Sequence, residues 1–284
     1  DNKYRKELGL AARKDIEERY DIRKRWKEFF EAIQGKRDES NRIKSEGIGV
    51  YIPNIDGGPG TFSGVMNNYL PIISNNKWHV TNDITGASIA IAIAYIDGEE
   101  ILLEKDRNPN LKIIHRLDGL PMARRGEIQG EHMSLIQDIN KVSDQVIWQS
   151  EHCRRFWAPY LDTNRGVITH NGVDLKVFNP EGSLHPMPDG EIKVLHVNWS
   201  LFKHKRLDLL DQIITEAKRS NPYIHFYLVG NYESVDTDVV KGSLQDHSNV
   251  TYLGAFPGGD KEGRNMLAAA YRSADILLFT SEME

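Results

Sequence analysis

Gly47-Ile48-Gly49-Val50-Tyr51-Ile52 is a short apolar run, and Asp56-Gly57-Gly58-Pro59-Gly60-Thr61 follows it closely. Beyond these, Phe62, Val65, Met66, Tyr69 and Leu70 recur at helical spacing. A continuous apolar run reads as a buried strand, an i, i+3, i+4 stripe as a packed helix, and glycines between the two as a tight connection. Strand, glycine loop and helix in that order form the first half of a βαβ unit.

The alternation continues outward from that stretch. Residues 88–96 alternate Ile and Ala and predict a strand, with a packed helix as the alternative. Residues 111–115 predict a strand ending in polar residues; 131–141 predict a helix, 145–149 a strand, 150–160 a helix and 166–170 a strand. Residues 179–190 hold three prolines and two glycines and predict a domain boundary. The pattern then restarts, with strands over 192–197, 224–229, 250–253 and 275–279 and helices over 205–219 and 262–273. Strands alternating with helices imply parallel sheets covered on both faces. The expected fold is α/β: two Rossmann-like, doubly wound domains over 47–180 and 190–284, the second incomplete with only four strands.

Before the first strand the pattern is helical. Leu8, Ala12, Ile16 and Tyr20 share four-residue spacing, and Ile22, Trp26, Phe29, Phe30 and Ile33 form a second stripe that Gly35 stops. Both stripes are expected to pack on the first domain. Residues 36–46 read as a polar linker. The segment 1–37 carries 12 Lys and Arg against 8 Asp and Glu, whereas the whole chain of 284 residues has net charge −5. This basic segment is a candidate for peripheral membrane contact; the acidic balance elsewhere gives no reason to expect nucleic acid. The 39% hydrophobic and 27% charged residues suit a soluble globular protein. Cys153 is the only cysteine, which excludes an intramolecular disulfide and a thiolate zinc site and suits a reducing compartment. No apolar run reaches the roughly 20 residues of a membrane span, and the charged start does not fit a signal peptide. Together these predict a cytoplasmic setting.

Ligands of open α/β sheets sit beyond the carboxyl ends of the strands, so the residues there are the candidates. Gly57-Gly58-Pro59-Gly60 can bring backbone amides to an anion at a helix end; it is not GxGxxG, and an ordinary tight turn is the alternative. His115-Arg116-Leu117-Asp118-Gly119 sets an imidazole, a guanidinium and a carboxylate at one strand end, where they can position hydroxyls, or where Arg and Asp simply pair and pin the loop. Lys203, Lys205 and Arg206 at the mouth of a helix suit a diphosphate, against a solvated basic turn. Glu282 and Glu284 can accept bonds from sugar hydroxyls, although taken alone they read as surface residues. Asn171-Gly172-Val173-Asp174 reads as a turn, and Asp236-Thr237-Asp238, despite its metal-motif spacing, as a solvated loop. No spacing makes a convincing metal site, GxSxG is absent, and the His152-Cys153 pair reads as a structural helix start.

Taken jointly, Val167-Ile168-Thr169-His170-Asn171-Gly172-Val173-Asp174, Lys205-Arg206-Leu207-Asp208-Leu209-Leu210, Tyr227-Leu228-Val229-Gly230 and Val250-Thr251-Tyr252-Leu253-Gly254 resemble the retaining glycosyltransferase family 4, of GT-B fold. The resemblance is specific over about 165–284 and looser over 47–160. Residues 1–34 resemble the family's last two helices, so the chain is expected to be circularly permuted and shortened, a slice of a tandem array, or missing a piece.

The resemblance implies transfer of a sugar from a nucleotide-diphosphate sugar to a carbohydrate, lipid or other small acceptor, with retention of configuration and no metal or cofactor. It implies a donor between the domains, held by Gly58 and Gly60 on one side and by Asn198, Lys203, Lys205 and Arg206 on the other. Gly230, Gly254 and Phe256 would lie near the base or diphosphate, and Glu282 in the donor site. His115 and Glu284 would be catalytic, Glu284 matching the first Glu of the family's Glu-x7-Glu, with Arg116 and Asp118 positioning sugar or acceptor. Where the family usually has Arg, this chain has Asn198-Trp199-Ser200, and Arg206 replaces a Gly. A non-catalytic GT-B-like sugar-nucleotide binder or partner protein is the alternative. A dinucleotide oxidoreductase is disfavoured, because GxGxxG and its acidic follower are absent.

Overall fold

The computed structural model describes residues 2–21, 23–25, 27, 28, 31, 47–53, 62–118, 130–188, 192–199, 205–232, 244, 247–256 and 261–281. Among them the contacts divide the chain into two units, one running to Leu175 and the other from Lys176 onward.

Among the described residues the first unit holds six strands: β1 (Ile48–Tyr51), β2 (Trp78–Thr81), β3 (Ile89–Ile93), β4 (Lys112–Leu117), β5 (Gln145–Trp148) and β6 (Val167–Ile168). They form one parallel sheet in the order β2-β1-β3-β4-β5-β6. The Ile/Ala alternation is the strand β3. Its Ile89, Ile91 and Ile93 face a cluster with Met66 and Leu70 of helix α2 (Phe62–Ile73), following α1 (Asn2–Arg19) in the chain. Ala90 and Ala92 face the other side, with Ile101 of α3 (Gly98–Arg107) and Ile139 of α4 (Gly130–Val142). All five β3 residues are buried, as a strand covered on both faces requires. A helix would have exposed some of them. Helices α3 and α4 approach closely at Gly98, where a Cβ would stand 2.7 Å from Ile139. Each fully buried Ile or Leu contributes about 1.5–3 kcal/mol.

Helix α5 (Glu151–Trp157) begins at Ser150, whose hydroxyl accepts from the Cys153 amide at 3.0 Å, an N-cap bond. The Cys153 thiol and Trp157 indole N–H donate to the Asp118 carbonyl at 3.0 and 2.9 Å, tying α5 to the chain that leaves β4. Burial pushes the thiol up to about 11, which fits a structural cysteine.

Helix α1 joins this unit through its far end. The Val173 amide donates to the Tyr20 carbonyl at 2.8 Å, and Asp21 bridges Val173. Ala12 and Ile16 of the expected packed stripe are exposed and Tyr20 is half-buried, and Arg13–Glu17, Lys14–Glu18 and Arg19–Asp15 pair one turn apart. Such surface pairs are each worth about 0.3–0.5 kcal/mol. The whole second stripe, with Gly35 and the linker 36–46, lies outside the described residues.

The second unit carries β7 (Ile192–Asn198), β8 (Ile224–Gly230), β9 (Val250–Gly254) and β10 (Ile276–Leu278) in a parallel sheet ordered β10-β7-β8-β9. Helix α6 (Leu207–Ser220) covers Val194, Phe226 and Leu228 through Leu207, Leu210 and Ile214. The opposite face buries Leu195, Tyr227 and Val229 with Phe256 and with Ala270 of α7 (Lys261–Ser273). The Pro/Gly-rich stretch is bound to this unit. Arg272 donates to the carbonyls of Asn179, Ser183 and Val177 at 2.8–3.0 Å, and Ser273 exchanges two bonds with the His185 backbone.

Two elements have no counterpart in the sequence reading. Strand β2 is a four-residue edge strand with one buried residue, too short and mixed for a period to appear. Helix α3 starts within Asp97-Gly98-Glu99-Glu100, a helix-start pattern that sequence reasoning missed, and Asp97 sits in the left-handed region without making the side-chain cap.

Candidate functional site

Strand order locates the crevice in each sheet. In the second unit the chain runs outward from β7 to β8 and β9, then returns to place β10 on the other side of β7. The reversal lies between β7 and β10, and a crevice opens at such a switch point beyond the carboxyl ends. Asn198 ends β7, Lys205 and Arg206 precede α6, and Thr280 follows β10. The Thr280 hydroxyl donates to the Lys205 carbonyl at 2.8 Å. Trp199, half exposed, stands directly after β7. Asn198 itself is buried, and its carbonyl accepts from the Asn231 amide at 3.0 Å.

Arg206 takes the left-handed conformation, φ 51°, at the N-cap of α6. That is a backbone state that glycine adopts freely and other residues rarely. The Arg206 guanidinium forks onto Asp208 at 3.0 Å, holding that carboxyl below its usual range. A fork with both partners fixed leaves Arg206 oriented along the first turn of α6.

Gly230 ends β8 at φ 131° beside Asn198, with its carbonyl accepting from the Tyr252 hydroxyl at 2.6 Å. Gly254 ends β9 at φ 93° with open space where a Cβ would be. Phe256 lies in the core and stacks on His185 at 5.7 Å between ring centres. Lys203, Glu282 and Glu284 lie outside the described residues, as do Gly58, Gly60 and Asp236–Asp238.

In the first unit the switch point is at β1 and β3, and β1 leads toward the glycine loop. His115 is fully buried in β4. A carbonyl can only accept, so the Nε2–H of His115 donates to Ala94 O at 3.0 Å, leaving Nδ1 as a buried acceptor that has no partner among the described residues. Burial lowers this imidazole to about 4, so it is neutral at ordinary pH. Arg116, also buried, donates to Asn171 Oδ1 at 3.0 Å, lies 4.2 Å over the Phe62 ring and stands 3.8 Å from Asp118. The pairing expected between Arg116 and Asp118 is thus a loose contact, and Asn171 holds the guanidinium at hydrogen-bond distance. Arg25, Phe62, Arg116, His170 and Asn171 line a small cleft.

Sequence reasoning took residues 171–174 as a turn and missed their linking role. Asn171 holds Arg116, Val173 anchors the segment after α1, and Asp174 accepts from the Tyr69 hydroxyl. His196, Tyr232 and Thr280 also escaped notice, since a single His inside an apolar strand carries no local signal. Among the described residues no group of three His, Cys, Asp or Glu is arranged to hold a metal ion. No described helix is long and apolar enough to cross a membrane.

No protein-family model matches the chain, and no curated protein matches it. Among solved structures it is similar to OtsA in its apo structure, with TM-score 0.53 at 14% identity over 68% of this chain and 52% of that one. It is also similar to the apo form of WaaB, a lipopolysaccharide outer core galactosyltransferase, with TM-score 0.50 at 12% identity over 83% of this chain and 74% of that one. TarM aligns over 70% of this chain at 17% identity and TM-score 0.43. The chain spans 37% of TarM and about half of OtsA. Likeness at such identity shows the fold: α/β with parallel sheets in Rossmann-like units, of the kind GT-B glycosyltransferases carry.

Proposed function

We propose that the chain serves a glycosyltransferase that moves a sugar from a nucleotide-diphosphate sugar to a carbohydrate, lipid or other small acceptor, with retention of configuration and without a bound metal. The observation that carries this reading is the position of Lys205 and Arg206 before α6, at the β7/β10 switch point. A cation there stabilises the charge that develops on a departing diphosphate, and the N-terminal end of α6 adds its dipole. The fold likeness to a galactosyltransferase supports the same class of chemistry. The roles read for Gly58, Gly60, Lys203, Glu282 and Glu284 rest on the sequence.

The test is incubation of the full chain with UDP-, GDP- and ADP-sugars, following release of the nucleoside diphosphate. Release that persists in EDTA, with the product in the donor's anomeric configuration, supports every part of the reading. Absence of release with every donor overturns catalysis by this chain. One observation favours a second reading, a sugar-nucleotide-binding protein without activity: His115, read as catalytic, is sealed in the sheet with its Nε2–H committed to Ala94. Binding of a sugar nucleotide without turnover would establish it.

A further inference from the structure

His196 is buried two residues before the end of β7, and both of its ring nitrogens are hydrogen-bonded. Its Nδ1 lies 2.6 Å from the Tyr232 hydroxyl and its Nε2 lies 3.1 Å from Thr280 Oγ1. Thr280 has one hydroxyl proton, and the Lys205 carbonyl, which can only accept, takes it at 2.8 Å. Thr280 must therefore accept from His196, so Nε2 carries the ring proton. Nδ1 is then an acceptor, and the Tyr232 hydroxyl gives its one proton to it at 2.6 Å rather than to the His196 carbonyl 3.3 Å away. The protons all run one way, from Tyr232 to His196 to Thr280 to the backbone of Lys205. The imidazole stays neutral throughout, in keeping with its burial, which lowers it to about 4.

The chain of bonds joins parts of the second unit that sequence separates widely. His196 and Thr280 are 84 residues apart, and Lys205 and Thr280 are 75 apart. Thr280 lies one residue before Ser281, on the segment leaving β10, and Lys205 starts the segment entering α6. These two segments flank the switch-point crevice. A backbone bond at Lys205 fixes where its side chain originates, and electrostatic stabilisation depends on donors already set in place.

We propose that His196 is a positioning residue: through Thr280 it sets the Lys205 backbone so that the ammonium is aimed at the diphosphate of a bound nucleotide. This rests on the nucleotide-site reading above. Neither His196 nor Thr280 touches the ligand. Their effect passes through Lys205.

The test uses the full chain and measures the affinity of UDP, GDP and ADP, taking whichever binds wild type most tightly as the probe. Thr280→Val keeps the shape and removes both bonds; it is expected to weaken the probe about tenfold, the loss of one well-placed hydrogen bond. Thr280→Ser, which retains the hydroxyl, stays within about twofold. His196→Gln can still donate to Thr280 and is expected to bind more tightly than His196→Leu. In a Lys205→Ala background, Thr280→Val costs nothing further, because the residue it positions is gone; a loss that merely loosened the fold would persist there. Full affinity in Thr280→Val, or an undiminished loss on top of Lys205→Ala, overturns the proposal. If wild type binds none of the three probes, the nucleotide-site reading itself fails, and the role of His196 falls with it.

Discussion

A Cβ added to Gly230 would stand 1.7 Å from the carbonyl oxygen of Asn198, its register partner across β7 and β8. No rotamer relieves the clash, because backbone meets backbone. Gly230→Ala is expected to destabilise the second unit by more than about 3 kcal/mol, above the usual range for overpacking. Gly254→Ala, where the Cβ meets nothing within 4 Å, should cost only the strain of positive φ, about 1–2 kcal/mol. Urea midpoints of the two variants, measured side by side, check the contrast; equal losses would refute the close approach.

Arg206 spends an L-residue in the left-handed region at the start of α6. Arg206→Gly and Arg206→Ala both remove the fork to Asp208, so their difference isolates the backbone. The glycine variant should be the more stable by about 1 kcal/mol, a few degrees in thermal midpoint. An alanine variant as stable as the glycine one would show that the backbone strain is negligible.

His115 and His196 are both held neutral by burial, each lowered from 6.5 to about 4. Between those two values the unfolded chain binds protons that the folded chain does not. Stability is therefore fully present above about pH 6.5 and falls as pH drops toward 4, with each histidine accounting for about 3 kcal/mol across the window. Denaturant unfolding at a series of pH values should show the decline, and His115→Phe should remove the first unit's share. A flat profile would contradict the burial of both rings.

The Cys153 thiol, buried and raised to about 11, is a poor nucleophile in the folded protein. Iodoacetamide at about pH 8 should leave it unmodified in the native chain and alkylate it fully in urea. Rapid native labelling, read by intact mass, would show that α5 opens readily from β4.

Much of the fold was legible because its signals are local. The runs at 47–52, 192–197 and 224–229 are strands, and 131–141 is a helix almost to its ends. The Ile/Ala alternation of β3 left a packed helix open as the alternative, and the structure shows the reason for the alternation: one face seats α2 and the other lets α3 and α4 come close. The candidate site was only half legible. Lys205 and Arg206 declared themselves by charge at a helix mouth, yet Asn171 looked like any turn residue and His196 like any buried one. Nothing in their neighbours names Arg116 or Thr280 as partners, because those partners arrive from distant parts of the chain, β4 and the segment after β10.

Apolar periodicity and glycine punctuation, which any short window of chain contains, were enough by themselves to decide that this protein is built of parallel α/β units. Which strand lies beside which was decided only in three dimensions, since sheet order depends on how helices from distant segments share two faces. That order sets β10 against β7, brings Thr280 within reach of both His196 and Lys205, and joins two unremarkable positions to a conspicuous lysine. Hydrogen bonds reach about 3 Å, and separations of 75 and 84 residues are closed to that distance only by the packed sheet.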